Sequence, residues 1–212
     1  MLVVGYSKLN GAQFISHLDT LRHLQKTVIR SKVAVGYSKG FNPHMLIFLS
    51  APIGVGLKSE AEYFFLETDE KANSFIEKFN AFCPGGFRAN FAVEVTKNPN
   101  LQHIIDCAEY RIVGDASKVD VDKILSSREF FVTDKRGEQK EVRDRILSLK
   151  KCDNGLIARL SFGNATLRAD VFANKLSELY GFICDDIIKT ACFVGDVPAE
   201  KYITENFGIK EK

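Results

Sequence analysis

The sequence predicts an α+β protein: two ferredoxin-like (βαββαβ) units in tandem, the second with an extra strand. Apolar residues gather in short β-prone stretches such as AEYFFLET (61–68) and recur at helical spacing in the segments between them. The resulting order β-α-β-β-α-β fills residues 1–97 and returns, one strand longer, in residues 107–212. Between the two lies KNPNLQHIID (97–106), whose Asn98-Pro99-Asn100 breaks the pattern and sets the expected boundary.

The first strand is LVVGYSK (2–8), expected to resume at Gln13 to Ile15 after Asn10-Gly11. The helix SHLDTLRHLQKTVIRSK follows, with Leu18, Leu21, Leu24 and Val28 at apolar spacing. Ser16 starts it and Asp19 stands three residues on, a capping box in which the hydroxyl satisfies an orphan amide and the carboxylate reaches back. A strand is expected at 33–37, then the loop YSKGFNPH (37–44), then the extended MLIFLSAP (45–52). Gly54 and Gly56 suit a tight turn before the strand at 61–68. KANSFIEKFNAF is a helix with Phe75, Ile76, Phe79 and Phe82 on one side; Pro84-Gly85-Gly86 ends it, and FRANFAVEVT is extended. Two helices on one face of an antiparallel sheet leave its other face free.

In the second unit AEYRIVG (108–114) is a strand, SKVDVDKILSS a short helix and EFFVTDK a strand. EVRDRILSLKK and LIARLSF form a hairpin closed by Asn154-Gly155. ADVFANKLSELYG is a helix with Gly181 as its left-handed cap, and TACFVGDV is the last strand.

Composition is that of a soluble globular protein, with 45% hydrophobic and 26% charged residues in 212. No apolar run approaches the roughly 18 residues of a membrane span. The N-terminus lacks a basic stretch before an apolar one, so no signal peptide is expected and the cytoplasm is the expected location. The five cysteines are widely spaced and form no C-x-x-C, which argues against a disulfide framework, a zinc ribbon or an iron–sulfur site. No cofactor and no metal is expected. Net charge is +2, but residues 1–57 carry six cations against the single acid Asp19. That asymmetry fits either a polyanion contact or a basic face paired within the protein.

On a helical wheel Arg22, Lys26 and Arg30 form one stripe opposite the apolar side. Several cations in line suit the tracking of a phosphate backbone; a solvated helix face is the plain alternative. The loop adds Ser38, Lys39, Phe41 and His44 as contacts, shaped by Gly40, Asn42 and Pro43. His17 falls on the apolar side of the helix and His44 near solvent. If the loop folds back over the helix start, the two histidines meet and suit acid–base work. No phosphate-cradling loop, nucleophile elbow or Cys–His signature is present.

FISHLDTLRHLQKTVIRSKVAVGYSKGFNPH, followed by LSAPIGVGLKSEAEYFFLE and FCPGGF, resembles the bacterial radical SAM-linked protein family. This is a domain of unknown function encoded beside, or fused to, cobalamin-binding radical SAM proteins. The pattern runs S-H-L-D, arginines along the helix, Y-S-x-G-F-N-P, G-x-x-S-x-x-E-Y (here with Ser59 and Glu62) and P-x-G. Lys135-Arg136-Gly137 and Arg143-Asp144-Arg145 match later features more loosely, adding Arg143 and Arg145 as contact candidates. The resemblance implies a radical SAM partner. The chain lacks the C-x-x-x-C-x-x-C of that enzyme and is not the enzyme itself. A neighbouring ribonuclease gene, common in such families, points to RNA.

The resulting expectation is a non-catalytic RNA- or substrate-recognition subunit acting with a radical SAM partner. One alternative is a metal-independent endoribonuclease using His17 or His44; the other is a protein–protein adaptor.

Overall fold

The computed structural model describes residues 1–133 and 137–209. In the first half, β1 (Leu2–Lys8) passes through a 3₁₀ turn (Ala12–Phe14) into α1 (His17–Arg30). Then come β2 (Ile47–Leu49), β3 (Lys58–Leu66), α2 (Ala72–Phe82), β4 (Phe87–Glu94) and α3 (Leu101–Ile104). The second half holds β5 (Cys107–Gly114), α4 (Val121–Ser126), β6 (Phe131–Thr133), β7 (Gln139–Glu141) and β8 (Ile146–Cys152). It continues through β9 (Gly155–Ser161), α5 (Ala169–Tyr180), β10 (Cys184–Val194), β11 (Val197–Pro198) and α6 (Ala199–Phe207).

This is a mixed α/β architecture with a mostly antiparallel sheet. Nine strands share that sheet; its main path is β4-β1-β3-β10-β5-β9-β8, with β2 paired to β3 and β11 to β10. The first half contributes β4-β1-β3-β2 and the second β10-β5-β9-β8, every pair within each half antiparallel. The halves join through a short parallel pairing, Ile188 with Lys58 and Lys189 with Ser59, and through an isolated antiparallel bridge between Val95 and Gly208. β6 and β7 form a separate hairpin.

Strand alternation divides the core between the two faces of the sheet. Leu2, Val4 and Tyr6 of β1 meet Phe64 and Leu66 of β3 on one face, under Leu24 and Val28 of α1 and Phe75 and Phe79 of α2. The Phe75 and Phe79 rings stack at 5.4 Å. Val3, Ala61, Tyr63 and Phe65 point the other way and join the core formed with β5, β9, α5 and α6. The face expected to be free is therefore buried, because the second half supplies a partner for its apolar residues.

Two expected strand segments are absent. Residues 13–15 enter a 3₁₀ turn because Asn10 and Gly11, both at positive φ, reverse the chain. Residues 33–37 form no strand: Gly36 exchanges single hydrogen bonds with Glu67 and Leu46, and only the bridge Tyr37–Met45 follows. The edge of β3 beyond that point belongs to β2. In the β8–β9 hairpin the turn residues are Asp153 and Asn154, and Gly155 already opens β9. A Cβ on Gly155 would stand 2.1 Å from the Ile112 carbonyl oxygen of β5, so the close approach of the strands requires glycine there. Gly181 is the left-handed cap of α5, as its position predicts. All five cysteines are free thiols, two of them buried. No helix among the described residues is long and apolar enough to cross a membrane.

Candidate functional site

The outer face of α1 and the 37–45 loop both carry exposed cations, and the loop exposes two aromatics, Tyr37 and Phe41. Ser16 caps α1 by accepting the Asp19 amide at 3.2 Å, and its hydroxyl donates to the Asp19 carboxylate at 2.8 Å. Those bonds, with the Arg22 guanidinium at 2.9 Å, hold the Asp19 carboxyl below the usual carboxylate range. Arg22 is thus engaged within the helix, while Lys26 and Arg30 are exposed and make no ion pair among the described residues. The loop is a small hairpin: the Ser38 amide donates to the His44 carbonyl (2.8 Å), and the His44 amide donates to the Ser38 hydroxyl (2.9 Å). Gly40 takes φ 129° at its tip. Ser38 and Gly40 therefore shape the loop, while Lys39, Phe41, Asn42, Pro43 and His44 are exposed. Phe41 has no cover at all, at 112% of its reference exposure.

A second assembly lies at the other end of α1. His17, expected on the apolar side, is exposed at the first helical position; Thr20, Leu24, Thr27 and Val28 form the buried side, and Leu18 points outward. His17 lines a groove of about 290 Å³ whose walls are Leu21 of α1, β2, Pro52 and the segment leading into α3. His17 and Pro52 also line a small cavity beneath, walled by Tyr6, Lys8, Thr20 and Glu62. Lys8 and Glu62 are buried, at 3% and 4% exposure, and Lys189 of β10 is wholly buried. Lys189 Nζ stands 2.6 Å from Glu62 Oε1 and has the Cys192 thiol as a second polar neighbour. The same ammonium lies 4.6 Å from the centre of the Phe162 ring.

Burial opposes the charge of Lys189, but Cys192 and Glu62 outweigh it and hold the ammonium above a free lysine's range. Lys8 shifts the other way: burial lowers it, Glu62 compensates in part, and Lys189 lowers it further. Its Nζ donates to the Ile15 carbonyl at 2.6 Å, which ties the end of β1 to the loop before α1. Burial, then Glu62, pushes the Tyr6 hydroxyl well above its ordinary value.

Residues from separate stretches of the sequence meet here. His17 and Glu62 line one cavity, and Ser59 sits in register with Lys189 at the seam of β3 and β10. Gly86 of the P-x-G stretch accepts the Leu9 amide at 2.8 Å, and a Cβ there would lie 2.3 Å from the Leu9 carbonyl oxygen. That contact fixes the chain just after Lys8. No hydrogen bond or ring contact among the described residues joins His17 to His44. His23 packs instead on the Phe87 ring at 5.9 Å.

Arg143 and Arg145 flank β8, the outermost strand of the second half, so they do not extend the α1 stripe. Arg143 is half-buried and donates to the carbonyls of Ile146 (2.9 Å) and Leu125, a structural bracket between α4 and β8. Lys135 and Arg136 lie outside the described residues. Among the described residues no group of three or more His, Cys, Asp or Glu side chains is placed to hold a metal ion. Lys8, Thr20 and Lys189 are site residues that sequence reading passed over. The available signal was a lysine inside an apolar strand, in LVVGYSK and again in IIKTACFV.

A family model described as an uncharacterized protein conserved in bacteria (DUF2344) matches residues 2–174. No curated protein matches the chain.

Proposed function

The chain belongs to that bacterial family of uncharacterised proteins, and we propose from its own surfaces that it is a non-catalytic recognition subunit for RNA. The single observation that carries this reading is Phe41, fully exposed at the tip of a hydrogen-bonded hairpin beside the exposed Lys39. Single-stranded RNA is held by aromatic rings that stack on splayed bases and by cations that follow the backbone. Lys26 and Arg30, exposed and without an ion pair among the described residues, supply the backbone contacts from α1. The buried sheet face disfavours stacking on the sheet itself, leaving helix and hairpin as the contact surface.

In the same reading each half is a ferredoxin-like unit, supported by the order last-first-third-second that both sets of four antiparallel strands follow. The radical SAM partner implied by the sequence resemblance is then the enzyme to which the RNA is presented. An endoribonuclease needs acid and base at one phosphodiester, and no hydrogen bond or ring contact among the described residues joins His17 to His44.

The test is fluorescence anisotropy of single-stranded RNA with the full chain across a salt series. Lys26→Ala/Arg30→Ala lowers the magnitude of the log–log salt slope by about 1.4, because each single-strand phosphate contact contributes about 0.7. Phe41→Ala weakens binding by about 1–3 kcal/mol at an unchanged slope, since stacking is not ionic. Absence of binding at low salt, or a slope that ignores the double substitution, sinks the proposal and favours the protein–protein adaptor.

A further inference from the structure

The recognition surface leaves the charge beneath the His17 groove unused. Lys8, Glu62 and Lys189 bury two ammonium groups against one carboxylate. Lys189 already claims that carboxylate at 2.6 Å, so Lys8 has one carbonyl acceptor and, among the described residues, no counter-ion of its own within ion-pair distance. A buried charge without a partner is costly and is normally matched by an opposite charge. Beside it Thr20 is 3% exposed and its Oγ1 has no hydrogen-bond partner, although buried hydroxyls almost always find one. Thr20, Lys8 and Glu62 line the same small cavity, about 10 Å³, which is roughly the space of one water-sized group. His17 and Pro52 stand between it and the larger groove.

We propose that this groove binds a small organic carboxylate, one oxygen of which passes His17 to accept the Thr20 hydroxyl and to neutralise Lys8. The single excess positive charge matches a monoanion. A cavity of that size takes one oxygen atom, and the single excess charge favours a monoanionic carboxylate over a phosphate, which carries close to two charges at neutral pH. The organic body lies in the groove, whose lining includes Leu21, Phe48, Leu49, Asn98, Asn100 and Gln102. That lining suits a ligand with both apolar and hydrogen-bonding parts.

The experiment is an amide NMR titration of the full chain with sodium acetate, alongside sodium chloride and sodium phosphate at matched ionic strength and pH. Acetate is expected to give saturable shifts over His17 to Thr20 that chloride and phosphate do not give. Thr20→Val keeps the side-chain shape and removes the donor; it weakens acetate binding about tenfold or more, the usual worth of a hydrogen bond to a charged group. Lys8→Met abolishes saturation, and Thr20→Val carries the test if Lys8→Met does not fold. Shifts that acetate shares with chloride mark an adventitious ion only and overturn the proposal. So does a Thr20→Val variant that binds as the wild type does, or phosphate binding in place of acetate.

Discussion

Glu62 and Lys189 belong to different halves of the chain and meet in the interior, so their contribution depends on both being present. Glu62→Gln leaves the Lys189 ammonium buried without its counter-charge, at a cost of about 3–5 kcal/mol. Glu62→Leu/Lys189→Met removes both charges and is expected to unfold within about 1 kcal/mol of the wild type or later, since hydrophobic replacement of a buried pair is often neutral or stabilising. Urea denaturation of the three proteins checks this. A double variant no more stable than Glu62→Gln would mean that the cost comes from lost packing rather than unpaired charge. These two residues also mark the limit of what sequence conveys. The apolar alternation of SEAEYFFL predicts a strand, and Glu62 within it is an anomaly that a sequence alone cannot pair with a lysine 127 positions later. Phe41 is the opposite case: Gly40, Asn42 and Pro43 around it forecast an exposed turn, and it is exposed.

Helices with an apolar stripe are the most legible elements, because that signal is local, and α1 adds a side-chain cap. Ser16, Asp19 and the Leu24–Val28 spacing define α1, and Phe75 with Phe79 defines α2. Ser16→Ala removes the acceptor for the Asp19 amide and is expected to cost about 1 kcal/mol, read as a lower urea midpoint at unchanged slope. An unchanged midpoint would mean that tertiary packing alone holds the first turn. The segment 33–37 has the composition of a strand but forms none, because which sheet edge is vacant is a non-local fact. The final helix was passed over although Ala199, Ile203 and Phe207 recur at i, i+4 and i+8. Its Glu200 gives a pH test. Burial raises the Glu200 carboxyl above 4.5, while the hydrogen bond from Tyr63 partly opposes the shift. A folded pKa above the unfolded one means that the fold favours the protonated form. That preference is fully present below pH 4.5 and is lost as pH rises through the folded pKa. Glu200→Gln should therefore melt higher than wild type at neutral pH, with the gap closing toward pH 4.5. A gap constant across that range in a calorimetric pH series would show that burial of the charge costs nothing.

The arrangement of the whole chain turns on the face of β1 and β3 that α1 and α2 do not cover. Sequence order predicts a mixture of helices and mostly antiparallel strands, since local periodicity fixes their succession, and the chain has that mixture. It does not foretell that the two halves share a sheet, because the β3–β10 seam is a two-residue parallel pairing with no signature of its own. Val3, Tyr63, Phe65 and Val95 are all nearly fully buried, and their cover comes largely from residues after 97. Residues 98–106 are part of that cover: Leu101 and Ile105 are buried, and α3 packs against β2 and β3. A fragment of residues 1–97 contains all the residues of β1 to β4, α1 and α2 but lacks the cover of their second face and leaves Glu62 without Lys189. That uncovered apolar face exceeds what a soluble monomer normally tolerates. The expected outcome is a fragment that binds a hydrophobic dye, associates in sedimentation experiments and lacks dispersed amide resonances. A monomeric fragment with native-like dispersion would instead mean that the α1–α2 face alone sustains the first half, and that the shared sheet is a docking of two independently stable units.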